Sequence, residues 1–385
     1  MESFLTGLEC RACCTVVPAD RLIGACPTCG QALLATYDLA RAREHVSLDR
    51  WRSRPGTLWR YFELLPVSAP DEVVSLGEGF TPLVELGTVP EAPTLKVMLK
   101  DDGQMPTGSF KARGMSVAVS RARELGAKTL YAPSAGNAGV ALSAYCARGG
   151  LRARVYIPDR APASYRRRCE EYGAEVVEVE GTISDAGRTA REREGRAGGF
   201  DMSTLREPYR VEGKKTMALE IFEQLHHGGP PDAIVYPAGG GTGIVGMHKG
   251  FEELKALGLL DRSPRLIAVQ AAECAPIVRA LRNNAADIEP WKAPSTAASG
   301  LLVPAPFSGP RILEAIRRSG GTAEVVTDEE MALAVRQLAL RHGISASLEG
   351  AAPYAALPKL RSSGAIRDDE RVLLYNTANG LTGAN

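Results

Sequence analysis

The sequence predicts an α/β protein with mostly parallel sheets whose two faces are covered by helices. Short apolar segments of strand length alternate with amphipathic stretches of helix length from residue 115 onward. Two small-residue segments, which begin at Ser134 and Gly239, each follow a strand and open a helix. This alternation favours parallel sheets, because successive parallel strands need a helical crossover between them. A chain of 385 residues suggests about two domains.

The predicted elements follow in chain order. A first strand, Leu95–Leu99, ends in a polar turn, and a helix is predicted over Met115–Leu125. Later strands are predicted at Thr129–Ala132, Ala153–Ile157, Glu175–Val179, Ala233–Tyr236, Leu266–Val269, Ala323–Val326 and Val372–Tyr375. Helices between them are predicted at Gly139–Arg148, Ser164–Tyr172, Glu212–Leu225, Ile244–Leu257, Asp328–Arg341 and Ala351–Leu360. The Pro- and Ala-rich stretch from Ala285 to Ser308 is expected to be irregular.

Composition and charge argue against several classes of protein. The net charge is +1, so no strong field would attract nucleic acid or an anionic membrane. No apolar run approaches the ~20 residues that a membrane-spanning helix needs. The first residues lack the basic start and apolar core of a secretory signal. We therefore expect a cytoplasmic protein with a small-molecule partner.

The cysteines crowd the beginning of the chain. Two Cys-x-x-Cys pairs can place four thiolates around one Zn²⁺, and their residues are Cys10, Cys13, Cys26 and Cys29. A segment this short cannot become ordered through an apolar core alone. Bound metal would supply the missing folding energy. We predict a zinc-ribbon-like segment over residues 1–45. The alternative is reduced cysteines without metal, and Cys14 is a spare thiol.

One lysine lies in the small-residue segment 106–114, PTGSFKARG. Lys111 stands just before a predicted helix, where unpaired N–H groups and the helix dipole disfavour a second positive charge. A neutral amine can attack an aldehyde and form a Schiff base. The alternative is a surface lysine at a helix start.

Three further segments offer groups for an anionic ligand. Asn137, in SAGNAG (134–139), carries an amide that can donate to a phenolate oxygen. The glycines from Gly239 to Gly243 free backbone N–H groups for an anion, with a helix dipole behind them. Thr377, at the end of the last strand, offers a hydroxyl to a ring nitrogen of a ligand across the strand ends. If they bind no ligand, the Asn137 segment is a helix cap, the glycine segment is a flexible turn and the Thr377 segment is a C-terminal turn.

The cations in Tyr209–Thr216 could hold a phosphate or carboxylate of a substrate, or could form a solvated face. An amine, an amide, an anion-binding turn and a hydroxyl together fit one cofactor, pyridoxal phosphate (PLP). Its conjugated ring takes up electrons from a carbanion while the protein sets orientation and protonation.

With these motifs the sequence resembles the threonine synthase family of fold type II PLP enzymes. The segments that carry the resemblance are SLGEGFTPL (75–83), PTGSFKARG (106–114), SAGNAG (134–139), EPYRVEGKKT (207–216), PAGGGTG (237–243), EGAA (349–352) and NTANG (376–380). The resemblance implies two open α/β domains with the active site between them. Residues 46–104 and 206–385 would form the larger, PLP-binding domain, and 105–205 the smaller one. It also implies a homodimer, and many members begin with a cysteine-paired ribbon.

The resemblance assigns roles to residues of this chain. Lys111 would be the Schiff-base lysine and later the proton shuttle. The cofactor would be bound by Asn137 at O3′, by Gly239, Gly240, Gly241, Thr242 and Gly243 at the phosphate, and by Thr377 at the ring nitrogen. Candidate substrate-binding residues are Ser109, Ser134, Ala135, Gly136, Lys214 and Lys215.

The implied reaction turns O-phospho-L-homoserine and water into L-threonine and phosphate. Some positions depart from the family pattern, such as Ala378 after Thr377, and Tyr165 where many relatives have a lysine nearby. A paralogue that performs β-replacement or β-elimination on a serine-type or phosphorylated amino acid is therefore an alternative. A non-catalytic interaction protein built around the zinc ribbon is another, although Lys111 and the glycines argue against it.

Overall fold

The computed structural model describes residues 1–87, 89–90 and 92–383. Its strands are β1 (Leu5–Glu9), β2 (Val16–Val17), β3 (Leu34–Tyr37), β4 (Leu83–Glu85), β5 (Lys96–Asp101), β6 (Thr129–Pro133), β7 (Arg152–Pro158), β8 (Glu175–Val179), β9 (Phe200–Asp201), β10 (Ala233–Pro237), β11 (Arg265–Ala271), β12 (Ala323–Val326) and β13 (Arg371–Asn376). Its α-helices are α1 (Leu39–His45), α2 (Leu48–Arg52), α3 (Lys111–Glu124), α4 (Asn137–Gly149), α5 (Ala163–Glu171), α6 (Ile183–Ala197), α7 (Tyr209–Gln224), α8 (Thr242–Ala256), α9 (Pro276–Arg282), α10 (Gly309–Arg318), α11 (Asp328–His342) and α12 (Leu348–Ser362).

The predicted α/β class is confirmed, and each predicted strand has its counterpart among β5 to β8 and β10 to β13. The bounds of β8 and β12 agree with the prediction to the residue. The helix expected from Met115 begins earlier, at Lys111. The stretch between α9 and α10 contains no helix or strand in the described chain, as expected for 285–308.

Contacts divide the chain into two compact units. Unit 1 is formed mainly by Met1–Phe80 and Lys111–Thr216, and unit 2 consists of Thr81–Phe110 and Met217–Thr382. Residues 46–80 therefore belong with the unit that contains Lys111. The predicted domain bounds stay a prediction, and the last two residues of the predicted larger domain lie outside the described residues.

Unit 1 contains two sheets. The N-terminal sheet is antiparallel, with the strand order β2-β1-β3. The second sheet is parallel, with the order β8-β7-β6-β9. Helices α4 and α6 pack against β6 and β7, and α3 packs against α4. Helix α6 begins with a capping box in which Thr182 and Asp185 satisfy each other's backbone N–H groups.

Unit 2 is built on a six-stranded sheet with the order β12-β11-β10-β13-β5-β4. Only the edge strand β4 runs antiparallel to its neighbour. All five residues of β10 are buried, as expected for a central strand covered on both faces. Helix α11 begins with a second capping box, formed by Thr327 and Glu330. None of the helices in the described residues is long and apolar enough to cross a membrane.

Candidate active site

Unit 2 gathers three predicted site segments at one edge of its sheet. Strands β10 and β13 are neighbouring and parallel, so their carboxyl ends lie side by side. Gly239 follows the first of these strands and Thr377 follows the second. Ser109 joins them through an antiparallel bridge to Ala378. Ligands of open α/β sheets bind at this carboxyl edge.

The turn between β10 and α8 presents a row of unused backbone donors. In the part of the chain that the structure describes, no backbone N–H from Gly239 to Ile244 donates to a protein acceptor. The first hydrogen bond into the helix joins the N–H of Val245 to the carbonyl oxygen of Gly241, at 3.0 Å. Six consecutive donors at the positive end of a helix dipole form a site for an anion such as a phosphate monoester.

Glycine is required in this turn because the protein presses against it. Gly241 has a φ of +73°, which side-chain-bearing residues rarely adopt, and a Cβ there would overlap Ile312. A Cβ at Gly239 would overlap the carbonyl oxygen of Gly300. The turn can therefore keep its N–H groups exposed to a ligand only with glycine at these positions.

Unit 1 contains the predicted lysine. Lys111 is the first residue of α3 and is half-buried. The ammonium group of Lys214, which is almost fully buried, lies 3.4 Å from the carbonyl oxygen of Lys111. Gly114 allows this approach, because a Cβ there would lie 3.0 Å from Lys214 Nζ and 2.9 Å from the carbonyl oxygen of Arg210. The structure therefore brings Lys214 to the start of α3.

The predicted Asn loop turns from β6 into α4. Ser134 Oγ accepts hydrogen bonds from the N–H of Gly139 at 2.8 Å and from the N–H of Gly136 at 3.3 Å. Asn137 is the first residue of α4. Its Oδ1 is buried and has no hydrogen-bond partner among the described residues. Ala135 and Gly136 are half-buried beside it.

An unpaired buried amide oxygen costs about 1–3 kcal/mol, so a ligand that pairs with the Asn137 amide would remove that cost. A half-turn of the amide exchanges this oxygen for the Nδ2 donor at the same position. Ser109 Oγ in unit 2 is also buried without a partner among the described residues. Both residues were predicted to bind ligand.

Lys215 forms its ion pair within unit 1. Its ammonium group lies 2.6 Å from Glu212 Oε2 and 3.9 Å from the centre of the Tyr37 ring. The Tyr37 hydroxyl donates to the same carboxylate oxygen at 2.9 Å. Because Glu212 already compensates the Lys215 charge, the structure gives this lysine a stabilising role within the unit.

Sequence reasoning missed Glu78, which it included only within a turn-rich motif. This carboxylate is fully buried in unit 1 and accepts hydrogen bonds from three side chains of distant segments, Trp59, Ser116 and Tyr145. The one local signal was an acidic residue between two glycines in an otherwise apolar stretch.

The four paired cysteines converge in the N-terminal sheet. Their Sγ atoms all lie within 4.8 Å of one another. The Sγ–Sγ distances are 3.5 Å for Cys10 and Cys29 and 3.6 Å for Cys13 and Cys26. These distances are too long for disulfides and are close to the edge of about 3.8 Å that a tetrahedron with Zn–S bonds of about 2.3 Å requires. The donor set therefore fits Zn²⁺.

Each unit, taken by itself, contains side chains or backbone groups of the kinds that bind PLP. Unit 1 has a lysine amine and an unpaired buried amide at two helix starts, and unit 2 has a turn with unused backbone N–H donors and, after the neighbouring strand, a threonine. The chain belongs to the family of pyridoxal-phosphate-dependent enzymes, whose model matches residues 74–378. This match covers both units.

The similarity extends to particular members of the family. The threonine synthase of Methanocaldococcus jannaschii is 37% identical over 97% of this chain and 92% of its own length. That of Methanosarcina acetivorans is 36% identical over 97% of this chain and 91% of its own length. The protein is thus a threonine-synthase-like, PLP-dependent lyase.

Solved structures agree on the fold. Maize serine racemase superposes with a TM-score of 0.67 at 20% identity, covering 78% of this chain and 88% of that one. The predicted fold type II architecture is confirmed at this level.

Proposed function

We propose that the protein converts O-phospho-L-homoserine and water into L-threonine and phosphate. The observation that carries the proposal is the similarity to two threonine synthases, which extends over 97% of the chain. A likeness of this extent includes the lysine segment, the Asn loop and the glycine turn. It favours threonine synthesis over β-replacement on a serine-type substrate.

The cofactor is assigned to residues of both units. Lys111 attaches it covalently, Asn137 binds O3′, and Thr377 faces the ring nitrogen. The backbone N–H groups from Gly239 to Gly243, with the Thr242 side chain, bind the phosphate. What supports these roles is the unpaired buried oxygen of Asn137 and the unused donors of the glycine turn.

When bound, the cofactor supplies an electron sink for the negative charge that develops at the substrate Cα. The Lys111 amine removes the Cα proton, acting as a general base at hydrogen-bond range, and returns a proton to Cα in the last step. It then carries one proton from Cβ to Cγ as the Cγ–O bond to phosphate breaks. The oxygen and one hydrogen of water join Cβ, and the other proton of water goes to the released phosphate.

Substrate recognition is assigned to groups near these two helix starts. Ser134, Ala135 and Gly136 bind the α-carboxylate through the turn that precedes α4. Ser109 is a further candidate, supported by its buried, unpaired Oγ. Lys214 remains a candidate for an anionic group of the substrate, whereas the ion pair with Glu212 argues against Lys215.

We also propose that Cys10, Cys13, Cys26 and Cys29 bind one structural Zn²⁺. The support is the tetrahedral spacing of the four sulfurs. Gly30 has a φ of +72°, and its N–H donates to the carbonyl oxygen of Cys26, which closes the second cysteine turn. The homodimer and the cytoplasmic location stay predictions, and light scattering of the purified protein tests the first.

The reaction is tested with purified protein saturated with PLP. O-phospho-L-homoserine in water labelled with heavy oxygen should yield equal amounts of phosphate and threonine, with the label in the threonine hydroxyl. L-serine and O-phospho-L-serine are assayed in parallel, with mass detection of products. A higher kcat/KM on either of these would refute the proposal in favour of β-replacement or β-elimination. Phosphate release from O-phospho-L-homoserine without threonine would refute it in favour of an elimination at Cγ.

A further inference from the structure

The Glu78 carboxylate has no part in the proposed mechanism, yet it is the most heavily bonded acidic group near α3. Its Oε1 accepts from Trp59 Nε1 at 2.9 Å and from Ser116 Oγ at 2.5 Å. Its Oε2 accepts from the Tyr145 hydroxyl at 2.6 Å and from the N–H of Leu76 at 2.8 Å. The residue is fully buried. Each carboxylate oxygen can accept two hydrogen bonds, so the four donors occupy both oxygens.

Two of these donors belong to helices that begin with site residues. Ser116 lies on α3, a little more than one turn after Lys111. Tyr145 lies on α4, about two turns after Asn137. A single carboxylate therefore ties together the two helices whose first residues are assigned to the cofactor.

Val74 adds a second link from the same segment. Its N–H donates to Ser120 Oγ on α3 at 2.8 Å, and its carbonyl oxygen lies 2.8 Å from Ser116 Oγ. A Cβ at Gly149, the last residue of α4, would lie 3.1 Å from the Val74 side chain. The Val74–Glu78 segment is thus fastened to both helices, by hydrogen bonds and by packing.

The segment is itself held by the preceding chain. The N–H of Leu58 donates to the carbonyl oxygen of Glu78 at 2.9 Å. A Cβ at Gly79, where φ is +102°, would overlap the Leu58 backbone. Trp59 packs in a buried cluster with Val117 of α3. The carboxylate therefore cannot shift without moving a packed part of the core.

We propose that Glu78 is a positioning residue: its carboxylate holds the starts of α3 and α4 in one arrangement, and through them Lys111 and Asn137. The inference rests on the proposed function for what those two residues do. The arrangement of the helices is inferred from the hydrogen bonds alone. The positioning role of Glu78 and the proposed function are therefore tested separately.

The test variant is Tyr145→Phe, which removes one hydrogen bond to Glu78 and leaves the ring in place. The matched control is Tyr156→Phe. The Tyr156 hydroxyl donates to Glu194 Oε1, also at 2.6 Å, and its ring is equally buried in unit 1. That ring packs with Ala186 and Ala190 of α6. Ser116→Ala provides a second test variant on the other helix.

The first readout is amide hydrogen exchange of the cofactor-free proteins. In Tyr145→Phe, peptides that cover residues 111–115 and 137–141 should exchange about tenfold faster, the change expected for a hydrogen bond to a charged group. Tyr156→Phe should leave both peptides unchanged while losing a similar amount of thermal stability. If these two peptides exchanged no faster in Tyr145→Phe than in Tyr156→Phe, the proposal would be overturned.

The second readout is the affinity for PLP. It should fall about tenfold in Tyr145→Phe and in Ser116→Ala, with kcat reduced more than KM changes, and should stay within twofold of wild type in Tyr156→Phe. Equal affinity in all four proteins would also overturn the proposal. If the wild-type protein binds no PLP at Lys111, the proposed function falls instead, and hydrogen exchange alone decides the role of Glu78.

Discussion

The backbone N–H of Phe110 donates a 2.9 Å hydrogen bond to the carbonyl oxygen of Thr377. A second bond runs from the N–H of Asn379 to the carbonyl oxygen of Gly108, also at 2.9 Å. The residues just before Lys111 are thus fixed to the segment that follows β13. Within unit 2, this bonding fixes the backbone of residues 108–110 to the end of the central strand β13.

Replacing Asn137 should separate stability from cofactor binding. Because its buried Oδ1 has no partner in the described chain, Asn137→Ala should leave the cofactor-free protein as stable as wild type, or slightly more stable. The affinity for PLP should fall about tenfold, the effect of one lost hydrogen bond to a charged oxygen. Thermal unfolding and PLP titration measure the two quantities. Asn283→Ala, at an exposed asparagine, is the control. A stability loss with unchanged PLP affinity would contradict the assignment.

The glycine turn makes a prediction about phosphate. Gly241→Ala introduces a side chain at a φ of +73° and against Ile312, so the row of N–H donors should be displaced. The variant should lose affinity for PLP but much less for pyridoxal, which lacks the phosphate. Gly258→Ala is the matched control. Gly258 follows the C-terminal end of α8, has a φ of +74° and is exposed. Equal losses for both ligands in Gly241→Ala would show that the turn does not bind the phosphate.

The cysteine cluster predicts one zinc ion per chain. Metal analysis of the purified protein should find zinc near a one-to-one ratio, and Cys26→Ser should abolish it. Removal of the metal should lower the stability of the N-terminal sheet, because metal binding supplies its folding energy. Cys14→Ser is the control, since Cys14 is exposed and outside the four-sulfur group. Protein that stays metal-free in zinc-supplemented medium, with unchanged stability, would rule the site out.

Because Lys215 pairs with Glu212, we expect its replacement to lower the stability of the protein and to leave substrate binding unchanged. Lys215→Met removes the cationic partner of the buried Glu212 carboxylate and should lower the free energy of unfolding by about 3–5 kcal/mol. The double variant Lys215→Met with Glu212→Leu should recover much of that loss. Urea unfolding measures both. A raised KM with unchanged stability would restore Lys215 as a substrate-binding residue.

The sequence was most informative where the pattern is local. Strands β8 and β12 are rich in valine, which favours strands, and glycines precede them, so both could be predicted to the residue. The strands β2 and β9 have two residues each and carry no periodic signal. The start of α3 was placed late, because Phe110, which precedes Lys111, is not a residue type that caps a helix with its side chain.

The candidate site residues also differ in whether a local sequence pattern identifies them. Lys111, Asn137 and the glycines were identifiable because each lies in a compact motif beside a helix start. The role of Glu78 depends on Trp59, Ser116 and Tyr145, which are distant in sequence. No pattern within the motif predicts those contacts, because only the packing of α3 against α4 brings the donors to one carboxylate.

Covalent attachment at Lys111 is the most direct test of the central claim. The PLP-loaded protein is reduced with borohydride, digested and mapped by peptide mass spectrometry. We expect the phosphopyridoxyl group on Lys111 alone, its complete loss in Lys111→Ala, and its retention in Lys128→Ala, which changes an exposed lysine of the same unit. An adduct on a different lysine, or none in protein that binds PLP, would contradict the account.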